Sequence, residues 1–233
     1  MLFRSIGLMW FKVDGDYQPN KNQLVSESAA RADLLLRLKQ AGNYRQEHHL
    51  EVPTGVYLQS LSFVSANDVY LNGFVWQSFP SDMNIKKPGF YFPEEVNGTA
   101  TPELKYRKEL DGKTVYGWYF EVTVRQPFDY AKYPLDHKTV WLRILPTDFD
   151  GHTLLIPDLD SYPSTSPGAA FGLDDQIVLG NWEINETFFD YKTNRYQTNF
   201  GFMTNNSGQS PELHFNVVLK RKFGNAFVVH LIP

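Results

Sequence analysis

Between residues 24 and 41 the apolar side chains recur at Ala30, Leu34, Leu38 and Ala41, spacings of four, four and three that put them on one face of a helix. Either Asn22 or Ser26 would cap its start, because a short polar side chain accepts from the unpaired N–H groups of the first turn. Gly42 suits the left-handed residue just past its end. No second segment repeats that period. After Pro53 the pattern shortens to alternating runs at 56–65, 68–78, 114–125, 138–146, 177–191 and 213–223. Turn-forming stretches separate them: Asn97-Gly98, Asp111-Gly112, Asp150-Gly151, residues 163–168 and residues 205–208. One helix followed by many strands, with no strand–helix alternation and no internal repeat, predicts an all-β sandwich.

Period two sorts the faces of these strands. Val140, Leu142 and Ile144 share one face of 138–146, and Leu213, Phe215, Val217 and Leu219 share one face of 213–223. Both strands carry charged residues opposite, the pattern of a sheet with one face in the core and one in water. The run 68–78 breaks that rule. Val69, Leu71 and Val75 point one way, while Tyr70, Phe74 and Trp76 occupy the other face, where polar residues are expected. Large rings on an outer face need a cover, either a loop of the same chain or a partner.

Composition narrows the class. The chain has 233 residues, which suits one large all-β domain, and 15% of them are aromatic, so many rings must fill a core or an interface. Its 22 basic against 26 acidic residues leave a net charge of −4, with no basic stripe for nucleic acid. With no cysteine, disulfides and thiol catalysis are excluded. No run of about 18 apolar residues is long enough to span a bilayer. Residues 1–20 form a leader, an extra strand or the remnant of an upstream domain, ahead of a domain over 21–233. The last residues, from Phe227 to Ile232, grow steadily more apolar. They read as a cut just before a transmembrane helix or as a buried final strand.

No catalytic constellation is present: there is no nucleophile elbow, no phosphate-binding glycine loop and no zinc-protease pattern, so an enzyme and a cofactor are not expected. Asp158, Asp160, Asp174 and Asp175 are weak candidates for a divalent cation on loops, against the commoner reading of solvated acidic turns.

The segment Gln126-Pro-Phe-Asp-Tyr-Ala-Lys-Tyr-Pro-Leu-Asp-His-Lys-Thr-Val140 resembles the central loop of pentameric ligand-gated ion channels. Gln126 and Val140 stand where animal members have the two bracketing cysteines, which prokaryotic members lack. Further segments follow in the family's order: Phe74 to Asp82, Tyr91-Phe-Pro-Glu94, Leu173 to Ile184, and Val218-Leu-Lys-Arg-Lys222. The resemblance covers roughly residues 24–233.

The resemblance implies an immunoglobulin-like β-sandwich of about ten strands with one N-terminal α-helix, part of a homopentamer in an inner membrane, with this domain periplasmic or extracellular. It implies a small-molecule ligand between subunits. One side would give Phe74 and Trp76. The other would give Asn97, Tyr162, and Arg195, Tyr196, Phe200 and Phe202 near the hairpin between the last two strands. Rings suit an ammonium group, and Arg195 would instead suit a carboxylate. Coupling to a pore would involve the pair Asp136 and Arg221, with Tyr133, Pro134, Ser65 and Asp68; the plain alternative for the pair is two surface charges. Two other readings remain: a periplasmic sensor of the same fold in a non-channel receptor, and a carbohydrate-binding sandwich using exposed rings as platforms.

Overall fold

A computed structural model describes residues 20–41, 49–81, 88–96, 98, 102–131, 133, 136–147, 153–198 and 209–222. Helix α1 (Glu27–Gln40) starts at Ser26, whose hydroxyl accepts from the Ala29 N–H at 3.2 Å, so Ser26 rather than Asn22 is the cap. Ala30, Leu34 and Leu38 are its buried residues, the face the periodicity marks. Gly42 lies outside the described residues.

Nine strands follow: β1 (Leu50–Phe63), β2 (Asp68–Pro80), β3 (Phe90–Tyr91), β4 (Glu103–Leu110), β5 (Lys113–Arg125), β6 (His137–Pro146), β7 (Thr153–Pro157), β8 (Trp182–Arg195) and β9 (Gln209–Arg221). They form a five-stranded sheet in the order β4-β5-β2-β1-β7 and a four-stranded sheet in the order β3-β6-β9-β8. The result is the expected all-β sandwich with one helix, with nine strands among the described residues. The expected inward sets on β2, β6 and β9 all lie in the core, joined by Phe120 from β5 and Phe189 from β8. Neighbouring strands run antiparallel except β1 and β7, which pair in parallel from Leu50↔Thr153 to Thr54↔Pro157.

Strands β3, β4 and β7 carry no sequence signal of the kind that marked the others. Every residue of β4 is exposed, so it has no buried face to alternate against. It is an edge strand held by β5 through the Asp111-Gly112 turn, where φ angles of 49° and 74° supply the two left-handed residues of a tight hairpin. The water-facing half of the pattern on β9 is corrected. Glu212, His214 and Asn216 alternate with the core residues yet are themselves buried. β9 is an interior strand, and these polar groups are engaged on the outer face. Asn216 donates to Asp190 at 2.8 Å, His214 lies 5.4 Å from the Trp141 ring, and Glu212 receives Arg143 at 3.1 Å.

The registers bring the β1–β2 turn, the β5–β6 loop and the C-terminal end of β9 to one end of the sandwich. Gln126 N donates to Asn67 O and Lys222 N donates to Asn181 O, each at 2.8 Å. Among the described residues no helix is long and apolar enough to cross a membrane.

Candidate functional site

Two side-chain assemblies stand out from the packing. The first is at the end just described. Asp136 immediately precedes β6 and continues its inward alternation, two residues before Lys138 and four before Val140. It is 3% exposed and receives Arg221 Nε at 2.8 Å, so the expected pair forms, and it is buried rather than superficial. Lys138 is also buried, with its Nζ 3.5 Å from Asp136 Oδ2 and without a hydrogen-bond partner among the described residues. Rings take up its charge instead: Nζ sits 3.5 Å from the centroid of Tyr130 and 4.7 Å from that of Phe128. The Arg221 guanidinium lies 4.1 Å from the Trp182 centroid and 4.9 Å from Tyr133. Tyr130 OH donates to the Ala66 carbonyl of the β1–β2 turn. One chain of contacts therefore runs from that turn through Tyr130, Lys138 and Asp136 to β9.

Ser65 and Asp68 have local duties. The Ser65 hydroxyl accepts from the N–H groups of Asn67 and Asp68 at 3.2 and 3.0 Å, which shapes the turn. Asp68 pairs with Arg125 at 2.8 Å, and that guanidinium holds its carboxyl below the ordinary range. Tyr133 meets the cluster at Arg221, and Pro134 lies outside the described residues.

Gln126 ties the start of the β5–β6 loop to β6. Among the described residues strand β3 pairs with Leu145 and Pro146 alone, and no other strand pairs with that edge of β6 nearer its start. The Gln126 amide fills it: Nε2 donates to Trp141 O, and Oε1 accepts from Trp141 N at 3.2 Å. Gln126 is 1% exposed. We expect Gln126→Ala to cost about 1–3 kcal/mol, because it strands a buried N–H and C=O, measured as a lower midpoint of urea unfolding. Gln126→Glu keeps one acceptor and should lose the donor half.

The second assembly sits on the outer face of the four-stranded sheet, where β8 and β9 approach their connecting hairpin. Arg143 on β6 bridges Glu94 at 2.5 Å and Glu212 at 3.1 Å. Glu212 also accepts from Tyr196 OH and Asn194 Nδ2. Tyr91 on β3 stands against the same group, where burial, then the nearby Glu212 charge, raise its phenol. Burial raises the Glu94 carboxyl, with Arg143 pulling the other way. The Tyr196 phenol is raised by burial first and then by its bond to Glu212. Beneath the cluster His214 is kept neutral, its pKa pushed down to about 3 by burial and by Lys192 and Arg143.

Of the described residues expected on this side, Tyr196 alone joins the assembly. Arg195 is exposed at the end of β8, and the basic group that enters the cluster is Arg143. Asn97, Phe200 and Phe202 lie outside the described residues. Tyr91, Glu94, Arg143 and Glu212 were not among the expected ligand-binding residues. One available signal was Arg143 itself, an arginine between the inward Leu142 and Ile144 and therefore on the outer face.

Phe74 projects from the outer face of the five-stranded sheet and meets Tyr119 edge-on at 5.5 Å. Trp76 and Tyr162, expected on opposite sides of a subunit boundary, are instead neighbours within the chain, with centroids 5.7 Å apart. The cause is the parallel β1–β7 pairing, which delivers residues 158–162 alongside β1 and β2. Tyr162 OH accepts from Val56 N at 2.7 Å and donates to Val56 O at 2.8 Å, and its ring packs on Phe171. It is a packing residue, its phenol raised by burial. The four candidate metal-ligating aspartates do not converge either. Asp158 accepts from Trp76 and Ser161, while Asp174 accepts from Tyr57 at 3.0 Å. Among the described residues no group of three or more acids or histidines could hold a metal ion.

No protein-family model matches the chain, and no curated protein matches it. Fold and side chains together define a β-sandwich domain with an ionic, ring-lined assembly at one end and an acidic, tyrosine-bearing assembly on the outer face of the four-stranded sheet.

Proposed function

We propose that the chain is the ligand-binding domain of a prokaryotic pentameric ligand-gated ion channel, taking a small ligand between neighbouring copies and passing its binding to a pore. The observation that carries this reading is the buried Asp136–Arg221 pair. It ties the loop that bears the resemblance to the last described strand, and Tyr130 ties the same loop to the β1–β2 turn. Ligand-driven rotation of either sheet would be felt at all three elements.

The ligand site is proposed from two half-sites. Phe74 and Tyr119 lie on the outer face of one sheet; Tyr91, Tyr196 and their carboxylates lie on the outer face of the other. Two half-sites facing away from each other are completed by a second copy, as in a ring. Two carboxylates against one guanidinium leave the tyrosine half-site with excess negative charge, which favours a ligand carrying an ammonium group. The pore itself belongs to membrane-spanning helices outside residues 1–233, with this domain on the outer side of an inner membrane.

The test is current recording from the full-length protein in bilayers, with primary amines, amino acids, divalent cations and protons applied in turn. Amines are expected to open it, and Phe74→Ala and Tyr196→Ala are each expected to move the response to roughly tenfold higher concentration. Absence of current under every condition overturns the reading and leaves a non-channel sensor. A monomer binding sugar on Phe74 would favour the carbohydrate-binding reading instead.

A further inference from the structure

Across the outer face of the five-stranded sheet, Tyr106, Gly117, Trp76 and Gly55 are register neighbours on β4, β5, β2 and β1. Rings alternate with glycines, and each ring lies down on the glycine beside it. A Cβ on Gly55 would come within 2.1 Å of the Trp76 ring, and one on Gly117 within 2.0 Å of the Tyr106 ring. Upright rings would fill the space over the sheet; flattened rings leave it open. A cavity of about 590 Å³ lies there. The indole is fixed in its flat pose by Trp76 Nε1 donating to Asp158 Oδ2 at 2.7 Å. Ser161 donates to the same oxygen at 2.6 Å, and the other Asp158 oxygen takes no bond from the described residues.

The charges around the cavity are segregated. Lys108 is on β4 and Lys113 opens β5, whereas Asp158 and Asp160 follow β7, and Glu27, the third carboxylate of the lining, starts α1 and pairs with Arg31. With the order β4-β5-β2-β1-β7, lysines stand at one edge, aspartates at the other, and Trp76 on the middle strand. Among the described residues neither lysine is paired with a carboxylate. From β4 to β7 is four strand intervals, about 19 Å of backbone. Lysine stems and aspartate side chains reach inward and shorten the gap between charges to roughly 10 Å.

We infer that this cavity is a binding site, complete within one chain, for an elongated small zwitterion. Its ammonium end sits at Asp158 and Asp160, its carboxylate end at Lys108 and Lys113, and its apolar middle lies on the Trp76 and Tyr106 rings. A simple amine leaves the lysine end unanswered, and a simple carboxylate leaves the aspartate end unanswered. The ring faces favour the ammonium over the carboxylate in the middle ground. The site needs no second copy and does not rest on the channel reading.

The test uses the 233-residue chain, dilute, at neutral pH, titrated calorimetrically with ω-aminooctanoate, octylamine and octanoate. ω-Aminooctanoate is expected to bind roughly tenfold tighter than either singly charged analogue. Lys108→Gln with Lys113→Gln should bring its affinity down to that of octylamine while leaving octylamine unchanged. Asp160→Asn should weaken both amines and spare octanoate. All these positions are exposed, so folding is preserved and circular dichroism checks it. Equal affinity for the three probes, no binding of ω-aminooctanoate at millimolar concentration, or indifference to the lysine changes would each overturn the inference. Because the readout is binding to the isolated chain, it stands or falls separately from current recordings.

Discussion

Asp136→Asn is expected to lower the unfolding free energy by about 3–5 kcal/mol, read as a shift of the urea midpoint. The size follows from what is left behind. Among the described residues Asp136 is the carboxylate that faces both Arg221 at 2.8 Å and Lys138 at 3.5 Å, and its side chain and that of Lys138 are nearly inaccessible to water. Removing the anion leaves a buried ammonium whose neighbours are rings and a guanidinium with one fewer acceptor. Lys138→Met should behave very differently, costing less than about 1 kcal/mol, because it removes an imperfectly bonded charge and keeps the Asp136–Arg221 pair intact. A thioether against Tyr130 and Phe128 recovers contact with the rings. In the double variant the Asp136→Asn loss should shrink, since one of the two stranded cations is gone. A single-variant loss below about 1 kcal/mol would assign the pair to ordinary surface electrostatics and end the argument.

That result bears on the proposed function. If the pair both holds the fold and links β6 to β9, then Asp136→Asn in the full-length protein should reduce opening. Ligand binding measured on protein that remains folded should change little. Lys138→Met is the sharper probe of coupling, because the fold tolerates it while the contact with Tyr130, and through it the β1–β2 turn, loses its cation–ring attraction.

What could be read from the chain depended on how local the cause was. Helix α1 was legible because Ser26 and the period of Ala30, Leu34 and Leu38 are properties of adjacent turns. The core faces of β2, β6 and β9 were legible because alternation is local too. Strand β4 was not, since every one of its residues is exposed and its existence depends on pairing with β5, which leaves no alternation in Glu103-Leu-Lys-Tyr-Arg-Lys-Glu-Leu110. The outer face of β9 misled for the opposite reason. Alternation assigns polar residues to water, but Glu212 is satisfied by Arg143, 69 positions away, and by Tyr196 across the hairpin. The tie between Gln126 and Trp141 was hidden in the same way: an amide side chain acting as a short strand has no pattern of its own. At the candidate site, aromatic residues were visible as outward rings, whereas the ionic partners that give the site its character meet only through the fold.

Arg143→Met should be as costly as the change at Asp136, and it should carry a signature in pH. The variant keeps the stem's packing and deletes the cation that bridges Glu94 and Glu212, so about 3–5 kcal/mol of stability is expected to go near pH 8. In the native protein burial already raises the Glu94 carboxyl and Arg143 opposes that rise. Without the guanidinium the opposition ends, and Glu94 goes higher still. A carboxyl whose folded pKa exceeds its unfolded one binds its proton more readily when folded, so it stabilises the fold in acid and loses that contribution as pH rises through the folded pKa. The variant's deficit should therefore narrow between pH 8 and pH 5, and Glu94→Gln in the same background should recover much of it at pH 8 while flattening the dependence. A deficit that is constant across that range would show that Arg143 acts through its packing alone. The charge balance assigned to the tyrosine half-site would then have no energetic basis. Tyr196 adds an independent reading: freed of Arg143, Glu212 becomes the acceptor for its phenol without a competing cation, so the phenol should titrate later in Arg143→Met than in the native chain, visible as an upward shift in the ultraviolet titration of tyrosinate.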